Sequence, residues 1–194
     1  MYSAVAILAA LRRRDVTGRG AHIDMALLDS QVAVLANQAA NYLASGVAPK
    51  RMGNAHVNVV PYQVFATADG QLVIAVGNDG QYRKLCGILG VPEWADDPRF
   101  VNNAARLANR AELIPLLAAR IAAWDAQPLS LALEAEGVPA GPINDLAQVF
   151  ADPQVQARGM RFRPEGASID GVASPIVIDG ERMVASTGAP PLAQ

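Results

Sequence analysis

The sequence predicts an α/β chain of the mixed, α+β kind. Two observations carry this. Helical periodicity runs through residues 3–14, 27–43 and 81–89, while β-rich arms flank an Asp69-Gly70 turn at residues 62–76. The order helix, strand, helix, hairpin, helices, strands excludes an all-β architecture. At 194 residues the length admits one domain or two small ones, and 52% hydrophobic residues with a mean hydropathy of +0.18 suffice for a core.

Taken in order, Val5, Ile7, Leu8 and Leu11 have helical spacing over residues 3–14, and Arg12-Arg13-Arg14 is expected in the last turn, where the helix dipole favours cations. No cap or turn precedes this helix, so the chain is expected to be cut from something longer. Thr17-Gly18-Arg19-Gly20 reads as a turn, Ala21–Met25 as a short alternating strand, and Leu27–Leu43 as one long helix ending at Gly46. Residues 47–60 read as an irregular linker. The arms Val64–Thr67 and Leu72–Val76 form the hairpin, and Gln81–Leu89 is a helix stopped by Gly90 and Pro92. Two or three helices fill 98–136, with Pro115 near a first turn or a kink.

Gly137-Val138-Pro139-Ala140-Gly141-Pro142-Ile143-Asn144-Asp145 is the most constrained stretch. Its prolines remove N–H donors and its glycines permit positive φ, so it predicts a rigid connector, capped into the next helix by Asn144 or Asp145. Short helices follow at 145–151 and 153–158. Residues 160–179 read as β-like, broken at Gly166 and Gly171, and the Pro/Gly-rich tail reads as loose.

Composition excludes several function classes. Sixteen Lys and Arg against 18 Asp and Glu give a net charge of −2, with no basic stripe for nucleic acid. The lone Cys86 cannot form an internal disulfide, which suits a reducing compartment. Ala4–Leu11 is too short to span a bilayer, and the arginines after it reverse the order of a secretion leader. The chain therefore reads as cytoplasmic, with no membrane partner.

The candidates for chemistry are few. His56 sits in Gly53-Asn54-Ala55-His56-Val57-Asn58-Val59-Val60-Pro61-Tyr62, where small and polar residues let amides approach a ligand or, alternatively, satisfy a linker's own backbone. Gly77-Asn78-Asp79-Gly80-Gln81-Tyr82 leaves a strand and opens a helix; it could bind an anion or be an ordinary N-cap. Asp24 and Asp29 could pair as acid and base or simply mark a helix start. His22 reads as solvated, Cys86 as a small core residue and Arg12–Arg14 as a solvated helix end that could reach a phosphate. No Ser/His/Asp set and no metal-ligand spacing is present, so no metal is expected and no catalytic residue is assigned.

Several segments together resemble the class III CoA-transferases, the CaiB/BaiF family. They are Ala6–Leu11 with Thr17–Gly20; Ile23–Ser30; Gly53–His56 through Pro61-Tyr62; Thr67–Gly70; Gly77–Tyr82; Asp97–Phe100; Asn109-Arg110; and Gly137–Asp145 with Asp152-Pro153-Gln154. The resemblance covers nearly the whole chain and implies an acyl-CoA:carboxylate CoA-transferase. In that chemistry an aspartate attacks the acyl-CoA to give a mixed anhydride, and the released thiolate then makes an aspartyl-CoA thioester that an acceptor acid resolves. The matching aspartate would lie about five residues before Met1. The resemblance therefore implies a C-terminal portion, inactive alone, whose full-length parent is an interlocked homodimer.

The same resemblance makes residues 1–46 the end of a Rossmann-like large domain, 47–60 a linker with the active-site loop, 61–158 the small domain, and 159–194 a return segment. It puts Leu27 where relatives have a CoA-contacting methionine. It makes Gly53, Asn54, His56 and Asn58 part of the loop over the reaction site. Formyl-CoA enzymes carry a glycine run there, so His56, Val57 and Asn58 imply a different acid. The substrates implied are a coenzyme A thioester and a small carboxylic acid, with no tightly bound cofactor. Two alternatives stand beside this: a 2-methylacyl-CoA racemase relative, and a non-catalytic remnant or subunit pairing with a separate N-terminal half. The first is disfavoured because no glutamate lies in Asn78–Tyr82, where that family typically carries one.

Overall fold

The computed structural model describes residues 1–185 and 187–188. The chain divides into two compact units, Met1–Gly53 and Asn54–Gln194. The expected loose tail, Pro190 to Gln194, lies outside the described residues.

The first unit is helical. Helix α1 spans Tyr2–Thr17 and ends where Gly18 turns left-handed at φ 69°, its N–H donating to the Arg14 carbonyl. The helix outruns its predicted end because only Gly18 supplies that conformation. Of the three arginines, Arg14 alone therefore falls in the last turn. The strand expected at Ala21–Met25 does not form: a strand needs a ladder partner, and no described segment pairs with it. The single helix expected over 27–43 is two, α2 (Leu27–Ala33) and α3 (Ala36–Ser45). Ala36 adopts φ 45°, which a right-handed ladder cannot carry through, and β-branched Val32 and Val34 weaken the junction. None of the three helices buries a residue.

The second unit holds the core. Strands β1 (Tyr62–Ala66) and β2 (Gln71–Ala75) form the expected hairpin, with Val64 opposite Val73. Its Asp69-Gly70 turn is closed by the Thr67 N–H donating to the Gly70 carbonyl. The constrained run forms a third strand, β3 (Ala140–Pro142), antiparallel to β2 in the order β1-β2-β3. Pro142 is tolerated because β3 is an edge. Helices α4 (Asp79–Ile88), α5 (Asn103–Ala108), α6 (Arg110–Ile121) and α7 (Ala126–Ala135) complete the layer, with a 3-10 turn at Pro92–Ala95. Pro115 lies inside α6 rather than in its first turn.

Periodicity decides what is buried. Leu72 and Ile74 alternate inward on β2, Leu113, Leu117 and Ile121 line one face of α6, and Leu129 and Leu133 line one face of α7. Each such side chain stabilises the fold by about 1.5–3 kcal/mol relative to exposure. Helices α8 (Leu146–Ala151) and α9 (Pro153–Ala157) follow, capped by Asp145 and Asp152. Asp145 and Gln148 make a full capping box. The last stretch forms two-residue ladders, β4 (Arg161–Phe162) with β5 (Gly171–Val172) and β6 (Val177–Ile178) with β7 (Glu181–Arg182). Gly171 sits inside a strand instead of breaking one: it packs under the Phe162 ring, where a Cβ would lie 3.4 Å from Cε1.

Candidate functional site

The loop before β1 is short of regular structure but not of hydrogen bonds. The His56 N–H donates to the Tyr62 carbonyl at 2.9 Å, and the imidazole stacks on the Tyr62 ring at 5.2 Å between centroids, 15° from parallel. The Asn58 N–H donates to His56 Nδ1 at 3.0 Å. With Nδ1 accepting, the proton of the neutral ring belongs on Nε2, so the ring offers a donor there. Asn54 Oδ1 accepts from the Val64 N–H at 3.0 Å, tying the loop start to β1.

Three side chains from α5 and α6 hold this loop from the other side. Asn103 bridges it, donating from Nδ2 to the Asn58 carbonyl and accepting the Val60 N–H at Oδ1, at 2.8 and 3.1 Å. Arg110 donates from Nη2 to the carbonyls of both His56 and Val57, at 2.6 and 3.1 Å. It is half-buried, and desolvation pulls its guanidinium below the usual arginine range. Arg106 is fully buried. It donates to the Val60 carbonyl at 2.7 Å, the Phe100 carbonyl at 3.0 Å and Asp79 Oδ1 at 2.8 Å, with its guanidinium 4.4 Å from the Tyr82 ring centroid. A buried cation survives only with its donors satisfied in this way.

Of the five residues expected at the site, Asn54, His56 and Asn58 share this loop in the second unit. Leu27 and Gly53 belong to the first unit, with Leu27 90% exposed at the start of α2 and Gly53 in a turn at φ 60°. The reading of single residues missed Asn103 and Arg106, and Arg110 entered it only through the resemblance. The available signal was an arginine inside the alanine-rich run Asn103-Ala104-Ala105-Arg106-Leu107-Ala108.

The other candidates take their structural roles. Asn78 caps α4 by accepting the Gln81 N–H at 2.9 Å. Gln81 accepts from the Gly77 N–H and donates to the Gly137 carbonyl at 3.0 Å, which ties the α4 start to the constrained run. Asp79 is engaged by Arg106. These contacts make Gly77–Tyr82 a joint of the scaffold. Cys86 is buried and burial pushes its thiol up; burial likewise pushes the Tyr82 hydroxyl beside it well above the tyrosine range. His22, Asp24, Asp29 and Arg12–Arg14 are exposed. A cleft of about 520 Å³ lies elsewhere in the second unit, among Asp69, Ser130, Glu134, Asn144, Gln148 and Asp152. No described helix is long and apolar enough to cross a membrane.

Helices with small antiparallel sheets match the mixed α/β class expected of the chain. The chain belongs to CoA-transferase family III, whose family model matches residues 1–194. It is 52% identical to a succinate–glutarate CoA-transferase of Agrobacterium fabrum over 92% of this chain and 45% of that protein. It is 41% identical to the succinyl-CoA:glutarate CoA-transferase of Homo sapiens over 90% of this chain and 40% of that protein. Among solved structures it resembles a CaiB/BaiF family protein from Brucella suis, with a TM-score of 0.80 and 52% identity over 98% of this chain and 50% of that one. The chain thus spans about half the length of the relatives it matches.

Proposed function

We propose that this chain is the C-terminal portion of an acyl-CoA:carboxylate CoA-transferase that moves CoA between small dicarboxylic acids. The observation that carries the reading is the braced loop at 54–62, in a family whose relatives are named for succinate and glutarate. A fixed donor such as His56 Nε2–H suits a carboxylate ligand. In the whole enzyme an aspartate outside this chain attacks the acyl-CoA carbonyl and expels CoA thiolate. The thiolate then attacks the resulting anhydride at the enzyme's carbonyl and releases the donor acid. The acceptor carboxylate next attacks the aspartyl-CoA thioester, again expelling thiolate and forming a second anhydride. Thiolate attack at the acceptor's acyl carbon regenerates the aspartate.

In this reading residues 1–46 end the large domain, 47–60 carry the active-site loop, 61–158 form the small domain and 159–194 return toward the large one. Leu27, Gly53, Asn54, His56 and Asn58 line the acyl-CoA and acid site, the working form is a cytoplasmic homodimer, and CoA enters as substrate, with no tightly held cofactor. Helices α1–α3 bury no residue and leave large apolar side chains such as Leu8, Leu28 and Leu43 exposed, which supports a larger parent. The test is the mass of the native protein from its source, with an assay of CoA transfer from succinyl-CoA to glutarate. A longer, active native protein and an inactive 194-residue chain are expected. Transfer by the purified chain alone, abolished by a change at His56, overturns the portion reading.

A further inference from the structure

We propose that Arg110 is a positioning residue for acid selection: it sets the His56–Asn58 turn so that His56 presents a fixed Nε2–H donor to a carboxylate of the acid substrate. The inference rests on the transferase reading above. A histidine in an unbraced loop samples rotamers and both tautomers, and such a donor discriminates poorly between ligands. Here each degree of freedom is held by a separate contact. Tyr62 stacks on the ring and fixes its plane. The Asn58 N–H occupies Nδ1 and fixes the tautomer. The geometry of that bond depends on the backbone from His56 to Asn58, and Arg110 grips the first two carbonyls of this turn with one nitrogen.

A second observation points to an anion. Arg110 is half-buried, and among the described residues it makes no ion pair. Arg106, one helical turn earlier in sequence, is balanced by Asp79. The charge of Arg110 is therefore left to favour a carboxylate brought to the neighbouring loop. A dicarboxylic acid has such a group to spare, because one carboxylate reacts while the other is held.

The test uses the whole transferase that contains this chain, with succinyl-CoA as donor and either glutarate or pentanoate as acceptor. Gln can place its amide nitrogen near the Nε2 position of His, whereas Asn reaches only the Nδ1 position. His56→Asn and Arg110→Met are expected to raise KM for glutarate about tenfold or more, the loss of a charge-assisted hydrogen bond, with kcat within about threefold. His56→Gln, which keeps a donor near the Nε2 position but loses the Tyr62 stacking and the Asn58 bond, is expected to recover part of the loss seen in His56→Asn, and the KM for pentanoate should not move in any variant. Equal glutarate KM in His56→Asn and His56→Gln overturns the proposal. So does an Arg110→Met enzyme that loses both acids alike. Should Arg110→Met fail to fold, Arg110→Gln takes its place, with the same rise in glutarate KM expected and an unchanged glutarate KM overturning the proposal. A parent enzyme that transfers CoA to neither acid overturns the transferase reading itself, and this inference with it.

Discussion

Helices α1 and α6 are written in the same alphabet of alanine, leucine and isoleucine, yet only α6 builds a core. Its Leu113, Leu117 and Ile121 are fully buried beside the β1–β2 hairpin. In α1, Val5, Leu8 and Leu11 remain 61%, 66% and 40% exposed. In α6 the apolar residues gather on one side and meet a facing surface, whereas in α1 they are spread around the axis and the 53 residues of the first unit bury none of them. The second unit supplies that surface by folding a sheet, four helices and a buried arginine around one cluster.

The widest test of this contrast is Arg106→Ala. It strands the Val60 and Phe100 carbonyls and uncovers the Tyr82 ring, so a loss of about 3–5 kcal/mol is expected in denaturant unfolding of the second unit. Trp94 and Trp124 both pack against that unit's core, so their fluorescence reports on it alone. Arg106→Met, which keeps the volume without the charge, should lose less.

Next in size is the matched pair Leu117→Ala and Leu8→Ala. The first should cost about 2–5 kcal/mol through a cavity. The second should change the chain's stability by no more than about 0.5 kcal/mol. Similar losses for both, measured by urea titration followed by circular dichroism, would break the comparison. A smaller effect separates two glycines of the constrained run. Gly137 holds φ 71°, so Gly137→Ala should cost about 1 kcal/mol. Gly141 has no positive φ and nothing within 4 Å of a Cβ, so Gly141→Ala should cost less.

The smallest effect is a pH dependence. Hydrogen bonds from Arg99 hold the Asp97 carboxyl below the usual range. A depressed carboxylate contributes stability that is present above its unfolded pKa of about 3.9 and disappears as pH falls through the folded value. Asp97→Asn should therefore be less stable than the parent at pH 7, with the gap closing below about pH 4. A gap that persists at low pH would show that Asp97 acts through packing instead.

Much of this architecture was legible in the chain. The hairpin at Asp69-Gly70, the Asn78 cap, the stop after α4 and the capped starts of α8 and α9 all follow from short-range backbone chemistry. The two segments assigned the wrong element lie in the first unit, while in the second only Pro115 and Gly171 take places other than those expected. Nothing local to Ala21–Met25 shows that it lacks a strand partner, and nothing in the spacing of 27–43 marks Ala36 as the residue that turns left-handed. The candidate loop was visible as a composition of small and polar residues around His56. Its bracing was not, because Asn103, Arg106 and Arg110 lie more than forty residues away along the chain.

By itself the sequence determined the turns, caps and inward faces, which depend on a residue's own φ, ψ and its nearest few neighbours. It determined the family as well, because those local signals recur together in one order. Only the tertiary structure decided that Ala140–Pro142 would pair with β2, that Arg106 would be neutralised at the heart of the second unit, and that Asn58 would occupy Nδ1 of His56. The first two require distant stretches to meet with matched donors and acceptors, and that complementarity exists only once the chain has closed on itself.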